Sequence, residues 1–323
     1  MLITLLLTSL VLGGVGAWLI GHYGNRFGLT DEPNERSSHR EPTPKGGGIG
    51  ILAAFLFASI VVGIPLLFWL PAVILAVLSF LGDKLDFSAK VRLIFQFTAA
   101  AVVGAGTALL HLSPWNQVIL FIPITIFIVG AANIYNFMDG INGIAAITGM
   151  VGFVLAAFYG FVANGNAAFT TLSMCLLMSC LGFLPFNIPN AKVFMGDVGS
   201  ILLGFVFAGV VIVLSQDLLG FICLVSFLFP FYADELNTMI VRIRNGDNLL
   251  LPHRKHIYQL LANEKKIPHW KVSVGYGIFQ AVVGVTVLAV RPLGLMAVIF
   301  LLAAYSGGFF AFGLLVRRSV LSD

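Results

Sequence analysis

Charge is what this chain has least of. Only 10% of its 323 residues are Asp, Glu, Lys or Arg, while 59% are hydrophobic and the mean hydropathy is +1.00. A soluble domain of this length needs far more polar surface to face water, so that class is excluded. Cysteine is nearly as scarce. Cys175, Cys180 and Cys223 all lie inside apolar runs, which suits small packing residues and leaves neither a disulfide framework nor a cysteine metal site. No basic residue precedes the first apolar run, "MLITLLLTSLVLGGVGAWLI", and the first positive charge, Arg26, follows it. A secretory signal has the reverse order, so a retained first helix with its N-terminus outside is expected. No basic region has the length or the interleaved aromatics that nucleic acid requires. Nor is there an evident repeat of the kind that builds inverted-topology transporters.

Apolar runs near or above ~18 residues, the length that crosses ~30 Å of hydrocarbon as a helix, recur throughout. The expected fold is an all-α polytopic membrane protein, a single integral-membrane domain over 1–323. Eleven spans are expected at about 2–21, 46–64, 66–82, 93–111, 116–132, 144–163, 168–184, 198–214, 218–240, 272–290 and 293–316. Alternate connections are very short. The others, 22–45, 83–92, 133–143, 185–197 and 241–271, hold nearly all the polar residues. Together with the C-terminal tail they carry 17 of the 18 Lys and Arg, leaving only Arg291 on the other side. The positive-inside rule therefore places the long loops and the C-terminus in the cytoplasm.

Each long loop carries a motif. The first, "DEPNERSSHREPTPKGGGIG", puts Lys45 before Gly46, Gly47 and Gly48 at the entry to a span. That arrangement suits a phosphate approaching backbone N–H groups; a solvated loop with a loose helix start is the plainer alternative. The second, "GDKLDFSAKVRL", contains Asp83, with Lys90 and Arg92 read as interfacial anchors. In the third, "NIYNFMDGING", Asn133, Asn136 and Asp139 are three apart and share a helix face, either as a polar site or as a cap for the helix end. The fourth, "FMGDVGS", sets Asp197 where an N-cap belongs. Asp83, Asp139 and Asp197 at one membrane depth can hold a hard cation that keeps waters and bridges phosphate oxygens, as Mg²⁺ does. The fifth, "HRKHIYQ", gathers His253, Arg254 and His256 beside further cations, which favours an anion or a lipid headgroup over a metal.

Taken in order, "PNERSSHREPTPKGGG", "GDKLDFSAKVRL", "NIYNFMDGING", "FMGDVGS" and "HRKHIYQ" resemble the motifs of the polyprenyl-phosphate N-acetylhexosamine-1-phosphate transferases, over almost the whole chain. The resemblance implies transfer of HexNAc-1-phosphate from a UDP-sugar to undecaprenyl phosphate with release of UMP. It implies Mg²⁺, with Mn²⁺ as a substitute, and an active site on the cytoplasmic face of a bacterial inner membrane, with membrane lipids and a homodimer as further partners. By position, Asp83, Asp139, Asp197 and His256 match catalytic residues, and Asp197 with Asn136 the metal site. Lys45, Gly46, Gly47, Asn133, Asn136, Asn142, His253 and Arg254 match substrate-binding positions. Two departures stand out. Gly82 replaces the first of a usual Asp pair, and Tyr258-Gln259 stands where a His pair often ends the fifth motif, which leans toward the O-antigen branch. An acceptor phosphate is already mostly a dianion at neutral pH, so direct attack is expected over a covalent aspartyl intermediate. The rival reading, an ion-coupled transporter, requires carboxylates near mid-membrane; the expectation here is that they cluster at one face.

Overall fold

The computed structural model describes residues 1–33, 38, 41–85, 87–108, 114–163, 165–248 and 253–322, apart from the side chains of Asp83, Lys84, Thr107, Ala108, Pro114, Gln117 and Ser322. The apolar runs form helices α1 (Leu2–Tyr23), α2 (Ile49–Val62), α3 (Leu66–Leu85), α4 (Ala89–Val103), α5 (Pro114–Phe137), α6 (Ile144–Val162), α7 (Ala167–Phe183) and α8 (Asp197–Leu214). They are followed by α9 (Leu218–Val225), α10 (Phe229–Arg244), a short α11 (Ile257–Gln259), α12 (His269–Val290) and α13 (Leu295–Ser322). Among the described residues, nine helical segments are long and apolar enough to cross a membrane, and Ile49–Val62 and Leu66–Gly82 form two shorter apolar helices. The nine lie at nine of the expected positions, and the two shorter helices lie at 46–64 and 66–82.

Local chemistry sets the ends. Ser88 caps α4 by accepting the Val91 N–H, and Asn166 caps α7 by accepting from Ala168 and Phe169. Asp217 does the same for α9 at Gly220. Packing is close where glycines face each other: a Cβ on Gly16 would lie 2.3 Å from the Gly50 Cα, so α1 and α2 meet backbone to backbone. α8 sits at the centre, buried along nearly all its length between α3, α5 and α6, while α13 is peripheral.

Three boundaries differ from expectation, each for a reason that bears on the site. α5 continues to Phe137, so Asn133 and Asn136 are helical. α2 begins at Ile49, because the three preceding glycines are used by another loop. The ninth span is broken: a 3₁₀ turn over Ser226–Leu228 separates α9 from α10, since Pro230 lacks an N–H and its ring crowds the carbonyl four residues back. α10 then buries Asp234, Glu235, Asn237, Thr238 and Arg242. The carboxylates are therefore not confined to loops, and the acidic pair inside "LFPFYADELN" belongs to the fold's polar interior.

The long connections gather at one end of the bundle. The first forms a two-stranded antiparallel sheet, β1 (Thr30–Asp31) with β2 (Thr43–Pro44), and Lys45 bridges to Phe194 of the fourth. Asn187 ties the fourth to the third, accepting from Gly143 N–H and donating to Val193 O. Asn263 of the fifth donates to Ser38 of the first at 3.0 Å.

Candidate active site

Asp197 is the hub. It lies inside α8 as the first helical residue, with Gly196 as the N-cap residue, so the expected capping role is corrected: its side chain reaches sideways. Arg92 of α4 forms an ion pair with Oδ2, and Asn136 of α5 donates to Oδ1 at 2.8 Å while also donating to Ser200 at 2.8 Å. Asn136, expected as a metal ligand, thus turns its Nδ2 to Asp197 and leaves Oδ1 as the end able to face a cation. Asp139 follows just beyond α5. Burial, and then the charge of Asp197, push its carboxyl up to about 7.

Two clefts meet at this point, and Asn136 and Asp197 line both. One, about 570 Å³, runs between α3, α4, α5 and α8, with Leu75, Leu78, Phe87, Leu93 and Ile201 on its walls and Arg92 at its polar end. The other, about 330 Å³, is polar and is lined by Lys45, Asp139, Asn142, Asn187, Gln259 and His269. Chain segments from the first, third, fourth and fifth loops build the polar cleft, and the second loop supplies the start of the apolar one. An apolar channel and a polar one sharing a carboxylate can bring a lipid-borne group to a water-soluble one.

The expected residues divide. Lys45, Asn136, Asp139, Asn142 and Asp197 come together. Asn133 lines the apolar cleft, but its amide is engaged by Gln96, with Nδ2 donating to Oε1 at 2.6 Å. Gly46 and Gly47 are corrected from phosphate binders to packing residues. Their N–H groups donate to Phe194 O at 3.1 and 2.9 Å, and a Cβ on either would strike Phe80 or Val193. The Asp83 side chain lies outside the described residues. His253, Arg254 and His256 line neither cleft. His256 is only 3% exposed and faces the protein's own carboxylates: Nδ1 is 3.7 Å from Asp234 and Nε2 3.5 Å from Glu235. Burial and the nearby cations push His253 down to about 4, so it is neutral at pH 7 and offers no charge to a phosphate.

Arg92 and Asn187 were not singled out by sequence. A cation three positions into a membrane helix looks like an anchor, and its partner lies 105 residues away. The one available signal is that a cation at a helix N-terminus opposes the helix dipole.

Comparison with known proteins finds a family and several similar enzymes. Residues 65–215 match the model described as glycosyl transferase family 4. A decaprenyl-phosphate N-acetylglucosaminephosphotransferase of Mycobacterium leprae (strain TN) is 30% identical, with 79% of this chain and 75% of that protein aligned. An undecaprenyl-phosphate alpha-N-acetylglucosaminyl 1-phosphate transferase of Thermotoga maritima is also 30% identical, with 77% of each covered. The enzyme of the same description from Salmonella typhi is 29% identical, covering 91% of this chain and 85% of its own.

Proposed function

The chain belongs to the polyprenyl-phosphate N-acetylhexosamine-1-phosphate transferases of glycosyl transferase family 4, and from that membership we propose that it moves N-acetylhexosamine 1-phosphate from a UDP-sugar to undecaprenyl phosphate. The meeting of an apolar and a polar cleft at Asn136 and Asp197 carries the proposal. The first takes the isoprenoid end of the acceptor and the second the nucleotide sugar. The relatives' names favour N-acetylglucosamine as the transferred sugar, and in this reading the lipid product starts O-antigen or a related surface glycan. The basic loop face supports a site at the cytoplasmic side of a bacterial inner membrane.

In this reading an oxygen of the acceptor phosphate attacks the sugar-bearing phosphorus in line. The bond from that phosphorus to the bridging oxygen breaks, and UMP leaves with the electron pair. No proton has to move, because the acceptor is a dianion. In this reading the Arg92 N–H groups not taken by Asp197, Gly82 O and Phe87 O orient the acceptor phosphate at the polar end of the apolar cleft, and Lys45 offers a point charge to the donor. Two carboxylates, one of them raising the other's pKa, leave negative charge at the junction. Among the described residues no three His, Cys, Asp or Glu gather to hold an ion alone. Such a set fits a divalent cation held by one or two carboxylates together with substrate phosphates, with Asp197, Asp139 and Asn136 Oδ1 as its protein partners. When bound, the ion neutralises the donor diphosphate. The test is a donor labelled separately in uracil and in the sugar-linked phosphate. The phosphate label must enter the lipid phase while the uracil label stays in water as UMP; release of UDP would overturn the reading.

A further inference from the structure

We propose that Gln96 binds the acceptor phosphate, giving an amide N–H to a phosphate oxygen on the lipid side of Arg92 and so fixing how deep the headgroup sits. The inference rests on the apolar cleft being the acceptor site. Gln96 follows Arg92 by four residues on α4, so the two share a helix face, and both line that cleft. Asn133 precedes Asn136 by three residues on α5, and both of these line it too. α4 starts at the loop end of the bundle and α5 finishes there. Gln96 and Asn133 therefore lie about one turn, ~4.5–6 Å, deeper in the membrane than Arg92 and Asn136.

Gln96 is 4% exposed, and an amide so placed inside a membrane helix is costly unless its polar groups are used. Asn133 uses part of it. Its Nδ2 donates within its own helix to Val129 O, 2.8 Å away, which settles which end of that amide is nitrogen. The same Nδ2 donates to Gln96 Oε1 at 2.6 Å, and Gln96 Nε2 returns one N–H to Asn133 Oδ1 at 3.3 Å. Both amide oxygens and both Asn133 N–H groups are then engaged, whereas the second Gln96 N–H has no acceptor among the described residues. Gluing α4 to α5, the plain role of such a pair, needs only the N–H already spent. The side chains of Leu75, Leu78, Leu93 and Ile201 on the cleft walls offer no acceptor. An isoprenoid tail offers none either. On a lipid phosphate the acceptors are the phosphate oxygens, at the one end of the molecule that must stop beside Asp197. Arg92 is partly occupied by Asp197, Gly82 O and Phe87 O. A neutral donor one turn below it adds a contact to the headgroup without adding a charge to the hydrocarbon.

The experiment uses the full-length protein in phosphatidylcholine nanodiscs and two variants. Gln96→Met keeps the length of the side chain and removes the amide; Asn133→Leu breaks the pair and leaves the Gln96 amide in place. Calorimetry on the resting protein measures the affinity for farnesyl phosphate and for farnesol, and turnover gives KM for undecaprenyl phosphate and for UDP-N-acetylglucosamine. Gln96→Met is expected to weaken farnesyl phosphate binding and raise the acceptor KM about tenfold or more, with farnesol affinity and donor KM within about twofold and kcat within about threefold. Asn133→Leu is expected to hold farnesyl phosphate affinity within about threefold of the wild type. Unchanged farnesyl phosphate affinity and acceptor KM in Gln96→Met would overturn the proposal. Equal losses for farnesyl phosphate and farnesol, or equal losses in the two variants, would also overturn it, since the pair would then only shape the cleft. If Gln96→Met fails to fold, Gln96→Asn withdraws the amide by one methylene and must show the same phosphate-specific loss. A phosphate-specific loss in a protein whose wild type never releases UMP would refute transfer but keep the role of Gln96. Acceptor-dependent UMP release, with Gln96→Met binding farnesyl phosphate as the wild type does, would do the reverse.

Discussion

Asp197 joins Arg92 of α4 to Asn136 of α5, and its charge is what each partner holds. Asp197→Asn preserves shape and helix position while removing that charge. Turnover is expected to fall by at least about a hundredfold, or ~2.7 kcal/mol of barrier, with little change in the thermal midpoint. Near-normal turnover of the variant in Mg²⁺ would reduce the residue to a structural partner of Arg92. Asp139 supplies a pH signature. With its carboxyl near 7, proton and cation compete, so divalent-cation affinity should strengthen between pH 6 and 8, and Asp139→Asn should flatten the profile. The folding linkage has the opposite sign. A folded pKa raised above the ordinary 3.8 means that the protonated form stabilises the fold fully below 3.8, and this is lost as pH rises through about 7. The protein without ligands should therefore melt lower at pH 8 than at pH 6; a scan with no slope, or one unchanged in Asp139→Asn, would assign the effect to another group.

Loop five shows how an element can carry a motif without presenting it. His253 and His256 of its motif line neither cleft, and His256 meets Asp234 and Glu235. His256→Ala removes the imidazole that lies between two buried carboxylates and should lower the thermal midpoint. Lys265 donates to Ser319 O near the end of α13, away from the buried carboxylates, so Lys265→Ala should cost far less. Comparable effects of the two substitutions on the melting curve and on activity would show that the buried cluster does not hold the loop. The contrast marks the boundary of what sequence reveals. Hydropathy gives the helices, because lipid demands ~18 apolar residues at a time. Loop motifs give the neighbourhood of Asp139 and Asp197, because polar residues are rare here. Partnerships across long sequence distances stay hidden. The N–H groups of Gly46 and Gly47 looked available to a phosphate until Phe194 was seen to accept them, and Asp234 was hidden in a run that reads as membrane helix.

At the scale of the molecule, five loops spread between residues 22 and 271 converge on one end of the bundle, and their basic residues predict that this end faces the cytoplasm. The three native cysteines are buried, so single introduced cysteines can be labelled cleanly. One at Lys265 should react only from the cytoplasmic side and one at Asn166 only from outside; the reverse pattern would invert the orientation and remove the nucleotide from reach. The central claim is that the two clefts exist to join a lipid phosphate to a nucleotide sugar. It is tested most directly by UMP release from the purified protein with a panel of UDP-sugars, with and without undecaprenyl phosphate and Mg²⁺. UMP should appear in equal amount to lipid-linked sugar, only when both additions are present, and with UDP-N-acetylglucosamine among the active donors. A protein that binds these sugars yet releases no UMP under any of these conditions would contradict the account.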